Sequence, residues 1–188
     1  MKNLSILCAL IAVIVLFSCK DKPANTNQSQ TSENPFVESL VKKQMLTGIY
    51  SVEYDYTVSL PPDFKIDEYG GEDFVVYYFA PADTTVLSYF VGGIYFGNHP
   101  NPFKYCENDS SAVKTVQSEL LGKNEDWKIH NCDNKYLTQT LAKSGSNEHW
   151  CEYIHLFGNA TSELELEKLF EIFKTISKKK KLEGKEIE

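Results

Sequence analysis

The chain of 188 residues contains no arginine; all 19 of its basic residues are lysines, set against 26 Asp and Glu. The guanidinium fork that usually grips phosphate and carboxylate is therefore missing. With a formal net charge of −7, the chain repels phosphate backbones, which argues against a nucleic-acid partner. Also missing are Gly-x-Ser-x-Gly, His-Glu-x-x-His, a Walker loop and Gly-x-Gly-x-x-Gly, so the common hydrolase, metalloprotease and nucleotide signatures are absent. A catalytic pair assembled from distant residues would leave no such signature, but nothing in the sequence implies a catalytic residue, a cofactor or a metal. Disorder and collagen-like repetition are excluded by a hydrophobic content of 42%.

Long apolar runs are absent except at the amino terminus. Lys2 precedes an almost continuous apolar stretch over residues 4–17, followed by Ser18 and Cys19. At ~1.5 Å per residue this stretch covers about 21 Å, short of the ~30 Å hydrocarbon core, so it reads as a targeting segment rather than a stable span. Leu16-Phe17-Ser18-Cys19 resembles the lipobox of bacterial lipoproteins. The resemblance implies that residues 1–18 are removed and that Cys19 carries lipid (palmitate among its acyl chains), anchoring the protein to a membrane of the bacterial cell envelope. An ordinary secretory signal with an incidental cysteine is the alternative. Two or more acyl chains anchor durably, where one is marginal. Lys20, rather than Asp, after the cysteine resembles an outer-membrane sorting signal; the periplasmic or surface face stays open. Without residues 1–18 the balance is 18 Lys against 26 acids, a formal −8.

Residues 19–34 are polar and offer too little apolar surface to offset ordering entropy. They read as a flexible tether, holding a domain some 20 Å from the bilayer. A single α+β domain is expected over residues 35–181, followed by a charged tail over 182–188. Asn34 and Pro35 open a first helix whose apolar stripe is Phe36, Val37, Leu40 and Val41, with Gly48 as its stop. Residues 50–60 alternate Tyr50, Val52, Tyr54, Tyr56, Val58, Leu60 with polar residues, a half-buried strand ended by Pro61-Pro62. Asp63, Asp67, Glu68, Glu72 and Asp73 around Gly70-Gly71 read as a solvated loop lacking EF-hand order. Residues 73–80 and 85–97 read as a hairpin pair. Ser110 or Ser111 is the expected cap of a second helix carrying Ala112, Val113, Val116, Leu120 and Leu121 and stopped by Gly122. Strands over 127–132, 135–142 and 148–158 follow, with Asp133-Asn134 as a tight turn. A closing helix begins at Thr161 or Ser162, with Leu166, Leu169, Phe170, Phe173 and Ile176 as its buried stripe and Lys178 to Lys181 facing the negative end of its dipole.

This order predicts an antiparallel sheet of about six strands sandwiched by helices. Strand, Leu60-Pro61-Pro62-Asp63-Phe64, hairpin, mid-chain helix, three-strand meander and the closing segment Glu-Leu-Glu-Lys-Leu-Phe-Glu-Ile-Phe-Lys-Thr-Ile together resemble the PsbP-like fold. That resemblance implies a non-enzymatic accessory role through protein contacts and transfers no residue-level site.

Three cysteines remain beyond Cys8 and Cys19. In the meander, Cys132 and Cys151 stand on strands about 10 Å apart, beyond the ~7 Å reach of a disulfide. Cys106, before the expected second helix, is the freer partner for Cys132; three reduced thiols and other pairings are the alternatives. His130-Asn131-Cys132 and His149-Trp150-Cys151 each place an imidazole beside a thiol. The meander separates the two pairs, so ordinary strand faces are preferred to a zinc site. The loop Gly97-Asn98-His99-Pro100-Asn101-Pro102, with Tyr95, Phe96 and Phe103 around it, is the candidate partner-binding rim: Tyr95, Phe96, Asn98, His99 and Phe103. Asp83-Thr84-Thr85 resembles an O-glycosylation pattern of some Gram-negative envelopes, with Thr84 the candidate acceptor. Function is expected to be protein binding by an accessory or immunity-type factor. A carrier or sensor of a small apolar ligand or lipid is the second reading, and a hydrolase using His99, His130, His149 or His155 the third.

Overall fold

The computed structural model describes residues 34–45, 54–85, 89–103, 106, 113–132, 135–145 and 149–181. Cys19, Gly48, Tyr50, Val52, Ser110, Ser111, Asp133, Asn134, the signal segment and the charged tail lie outside the described residues.

Asn34 caps α1 (Pro35–Glu38), its side chain accepting from the Phe36 N–H at 3.1 Å. The expected apolar stripe does not continue helically: α1 ends at Ser39, and Val41 begins a strand, β1 (Val41–Met45). Pairing with β2 (Tyr54–Leu60), Val41 to Leu60 and Met45 to Tyr56, satisfies that backbone and buries Met45. Tyr56, Val58 and Leu60 are fully buried, as their period of two requires, and β2 stops at Pro61.

Of the residues expected as an acidic loop, Asp67, Glu68 and Gly70 instead belong to β3 (Phe64–Gly70), paired along its whole length with β4 (Phe74–Pro81), while Asp63, Glu72 and Asp73 stay outside the strands. Asp67 and Glu68 thus sit on an edge strand, where charge discourages further pairing. β4 pairs with β5 (Phe90–Gly97). The expected second helix is instead β6 (Val113–Leu120), paired antiparallel with β7 (Lys123–Cys132). Val116 and Leu120 are four apart, a spacing shared by both periods, and β-branched Val113, Thr115 and Val116 favour the strand. Gly122 terminates no helix. Leu121 (φ 52°) and Gly122 (φ 76°) form the two-residue link between Leu120 and Lys123, with the left-handed pair of φ values that a type I′ hairpin needs.

β8 (Lys135–Lys143) and β9 (Tyr153–Ala160) complete a seven-stranded antiparallel sheet in the order β3-β4-β5-β9-β8-β7-β6. α2 (Glu163–Lys174) follows, capped by Ser162 on the Glu165 N–H. The lysines expected only to face its dipole enter a further strand, β10 (Ser177–Lys180), which pairs with β2, so β1-β2-β10 form a second sheet.

The fold is thus α+β and dominated by antiparallel strands. One face of the large sheet presents Phe79, Phe90, Ile94, Phe96, Trp127, Ile129, Ile154 and Leu156 to a common core. α2 and β2 close that face: Phe173 stacks on Trp127 at 5.0 Å, and Tyr56 meets Phe96 at 4.9 Å. Gly92 and Gly158 are register partners on this face, and a Cβ on Gly158 would stand 2.6 Å from the Val91 carbonyl oxygen and 2.7 Å from Leu169 Cδ2. Glycine at position 158 is what lets α2 seat Leu169 directly on the sheet.

Candidate functional site

Strand alternation sends the other half of each strand's side chains to the opposite face. Following the register across it gives three rows. One runs Tyr69, Val76, Tyr95, His155, Leu141; the second runs Tyr78, Gly93, Phe157, Gln139, Lys128; the third runs Val91, Asn159, Leu137, His130, Val113. An aromatic line crosses these rows: Tyr69 meets Tyr78 at 5.7 Å, Tyr78 meets Phe157 at 5.8 Å, and Phe157 meets His155 at 5.1 Å. Gly93 leaves the space that the Phe157 ring fills, since a Cβ there would stand 2.3 Å from Phe157 Cζ. Tyr69, Tyr78, Val113 and Leu141 on this face are each between 43% and 59% exposed.

The proline loop after β5 joins this face. Asn98 fixes its start: its side-chain amide donates to the His149 carbonyl, and its oxygen accepts from the Glu152 N–H at 2.9 Å. The Tyr95 hydroxyl accepts from the His99 N–H at 3.0 Å, and burial holds the Tyr95 phenol above its ordinary pKa. Further on, Gln139 Nε2 donates to the Phe103 carbonyl at 2.6 Å. Cys106 is bonded to Cys132 at the end of β7, with Cα atoms 5.6 Å apart. Phe103 is thereby held against the sheet, its ring 6.0 Å from that of His130 in an edge-to-face contact.

Phe103 lines two depressions in the face. One of about 540 Å³ is lined by Val113, Asp126, Lys128, His130, Gln139, Leu141 and His155. Another of about 510 Å³ lies against Tyr78, Val91, Leu137 and Phe157. The first contains two buried histidines with unlike environments. His155 places Nε2 3.1 Å from Gln139 Oε1. Because the Gln139 amide nitrogen is committed to the Phe103 carbonyl, its oxygen faces His155, and His155 Nε2 carries the proton. Burial pushes the His155 pKa down from 6.5 to about 4, so this ring is neutral at physiological pH. His130 is 3% exposed, and among the described residues neither of its ring nitrogens has a hydrogen-bond partner.

The residues proposed as a rim from sequence are only partly brought together. Phe96 is fully buried on the core face and cannot contact a partner; alternation places it opposite Tyr95. Asn98 serves the loop's own geometry, and His99 is exposed beside Asp73 at 3.8 Å. Tyr95 and Phe103 do belong to the outer face. Cys151 is a buried thiol and His149 lies in an exposed turn, so the two His-Cys pairs do not converge. Thr84 is exposed, and the Asp83 carboxylate beside it accepts from both the N–H and the hydroxyl of Thr85, which lowers the Asp83 pKa. Sequence reasoning did not single out Gln139, Tyr78 or Leu141. Their period-two placement was readable, but which face would be covered depends on where α2 and β2 dock.

Compared with known proteins, the chain matches no family model, no curated protein and no solved structure.

Proposed function

We propose that this chain is a lipid-anchored protein of the bacterial cell envelope, attached to the outer membrane through Cys19, which works without catalysis by binding another protein through the outer face of its seven-stranded sheet. The observation that supports this reading most is the distribution of exposed apolar side chains. Of the seven large hydrophobic residues exposed among the described residues, four (Tyr69, Tyr78, Val113 and Leu141) stand on that one face. Exposed apolar side chains gathered on one face mark interaction sites, and tyrosine is a preferred anchor. The chain's acidity suits a basic partner, because opposite charge speeds encounter.

The PsbP-like resemblance belongs to the same reading. It is supported by an antiparallel sheet closed by a C-terminal helix and opposed by β6, which occupies the place of the mid-chain helix. Thr84 is offered as an O-glycosylation acceptor on its exposure beside Asp83.

The test is paired capture from detergent-solubilised envelope, using the full chain and its Tyr78→Lys/Leu141→Lys variant. Both positions are already exposed, so folding should survive. A partner retained by the parent and lost by the variant supports the reading, whereas equal retention by both removes the outer face from it.

A further inference from the structure

We infer that the depression between Phe103 and strands β7, β8 and β9 is a binding site for a small uncharged molecule that carries a hydroxyl group on an aromatic or alicyclic body. This goes beyond the protein-binding reading and does not depend on it.

Its centre is His130. A buried imidazole normally has its nitrogens satisfied, because removing them from water without a partner costs free energy. Here both nitrogens lack one among the described residues, and the side chain lines a cavity of about 540 Å³, within the usual range for small-molecule pockets. An imidazole nitrogen that bears hydrogen donates and one that is bare accepts. A hydroxyl both donates and accepts, so it complements either edge of the ring in either tautomer.

The walls define the rest of the ligand. Phe103, Val113, Leu141 and Pro102 supply apolar contact for a ring or compact hydrocarbon body. Asp126 and Lys128 both line the cavity, so a cation or an anion there would meet one attractive and one repulsive charge. Gln139 is committed to the Phe103 carbonyl and to His155, which keeps its amide rigid and leaves the buried His130 nitrogens as the polar atoms of the lining that have no partner among the described residues. Four strands, β6 to β9, and the disulfide-anchored loop hold these groups.

The probe is 2-naphthol, with naphthalene as its counterpart lacking the hydroxyl, titrated into the full chain in lipid nanodiscs. Binding is read from the ring-nitrogen resonances of 15N-histidine-labelled protein. The expected result is a saturable shift of the His130 resonances with 2-naphthol and about tenfold weaker binding of naphthalene, the loss corresponding to one hydrogen bond. His130→Leu should weaken 2-naphthol about tenfold, and Leu141→Trp, which fills the cavity from an exposed position, should block it while leaving His130 in place. The inference is overturned by an absent His130 shift in the parent protein, by equal affinity for naphthalene, or by unchanged 2-naphthol binding to Leu141→Trp. The parent-protein measurement decides the matter even where His130→Leu fails to fold.

Discussion

His155 donates through Nε2 to the side-chain oxygen of Gln139, 3.1 Å away, while the nitrogen of the same amide is held by the Phe103 carbonyl at 2.6 Å. One glutamine thus couples a buried histidine of β9 to the proline loop, and this links the outer face of the sheet to pH.

In the folded protein the His155 pKa falls from 6.5 to about 4. Between those values the unfolded chain takes up a proton that the native state refuses, so stability is complete above pH 6.5 and falls as pH drops toward 4. The difference amounts to at most about 3 kcal/mol. Urea unfolding of the parent and of His155→Leu between pH 4 and 7 should show a shallower slope for the variant. Parallel slopes would contradict the account.

The Cys106–Cys132 bond closes a separation of 26 residues, and its removal is expected to cost about 3 kcal/mol by loop entropy. A Cys106→Ser/Cys132→Ser protein should lose that amount in denaturant unfolding and should also free Phe103 from His130. An unchanged midpoint would mean that the bridge is dispensable to the fold.

Gly158→Ala is expected to destabilise by about 1 to 3 kcal/mol, because the new methyl group meets backbone at Val91 and the Leu169 side chain together. Thermal unfolding checks this. A neutral result would show that α2 does not sit on the sheet at Leu169.

Ser162→Ala removes the side-chain acceptor of the Glu165 N–H at the start of α2 and should cost about 1 kcal/mol. Equal stability of parent and variant in urea would argue against the assigned helix start.

Lipid attachment is tested by Cys19→Ala, which should stay unprocessed and unlabelled by a palmitate analogue in cells. Normal labelling of the variant would refute Cys19 as the site.

Much of this fold was legible where one period ruled alone. The alternation ending at Leu60, the meander of β7, β8 and β9, and the Ser162 cap with its Leu166, Leu169 and Phe173 stripe all follow from local pattern. Where two periods coincide, the pattern fails. Val116 and Leu120 fit both helix and strand, and tertiary pairing with β7 decides for the strand. Phe36, Val37, Leu40 and Val41 likewise fit a helix, yet β2 captures Val41. The site was less legible still. His130, Gln139 and His155 lie on three strands, and only the register of those strands and the loop clamped by Cys106–Cys132 bring them together.

The central claim, recognition through the outer sheet face, is tested most directly by photo-cross-linking in cells. A photoreactive residue replaces Tyr78, and in a second strain it replaces Glu167, exposed on α2. The account predicts a discrete cross-linked protein from position 78 and none from position 167. Silence at position 78, or the same product from both positions, would contradict it.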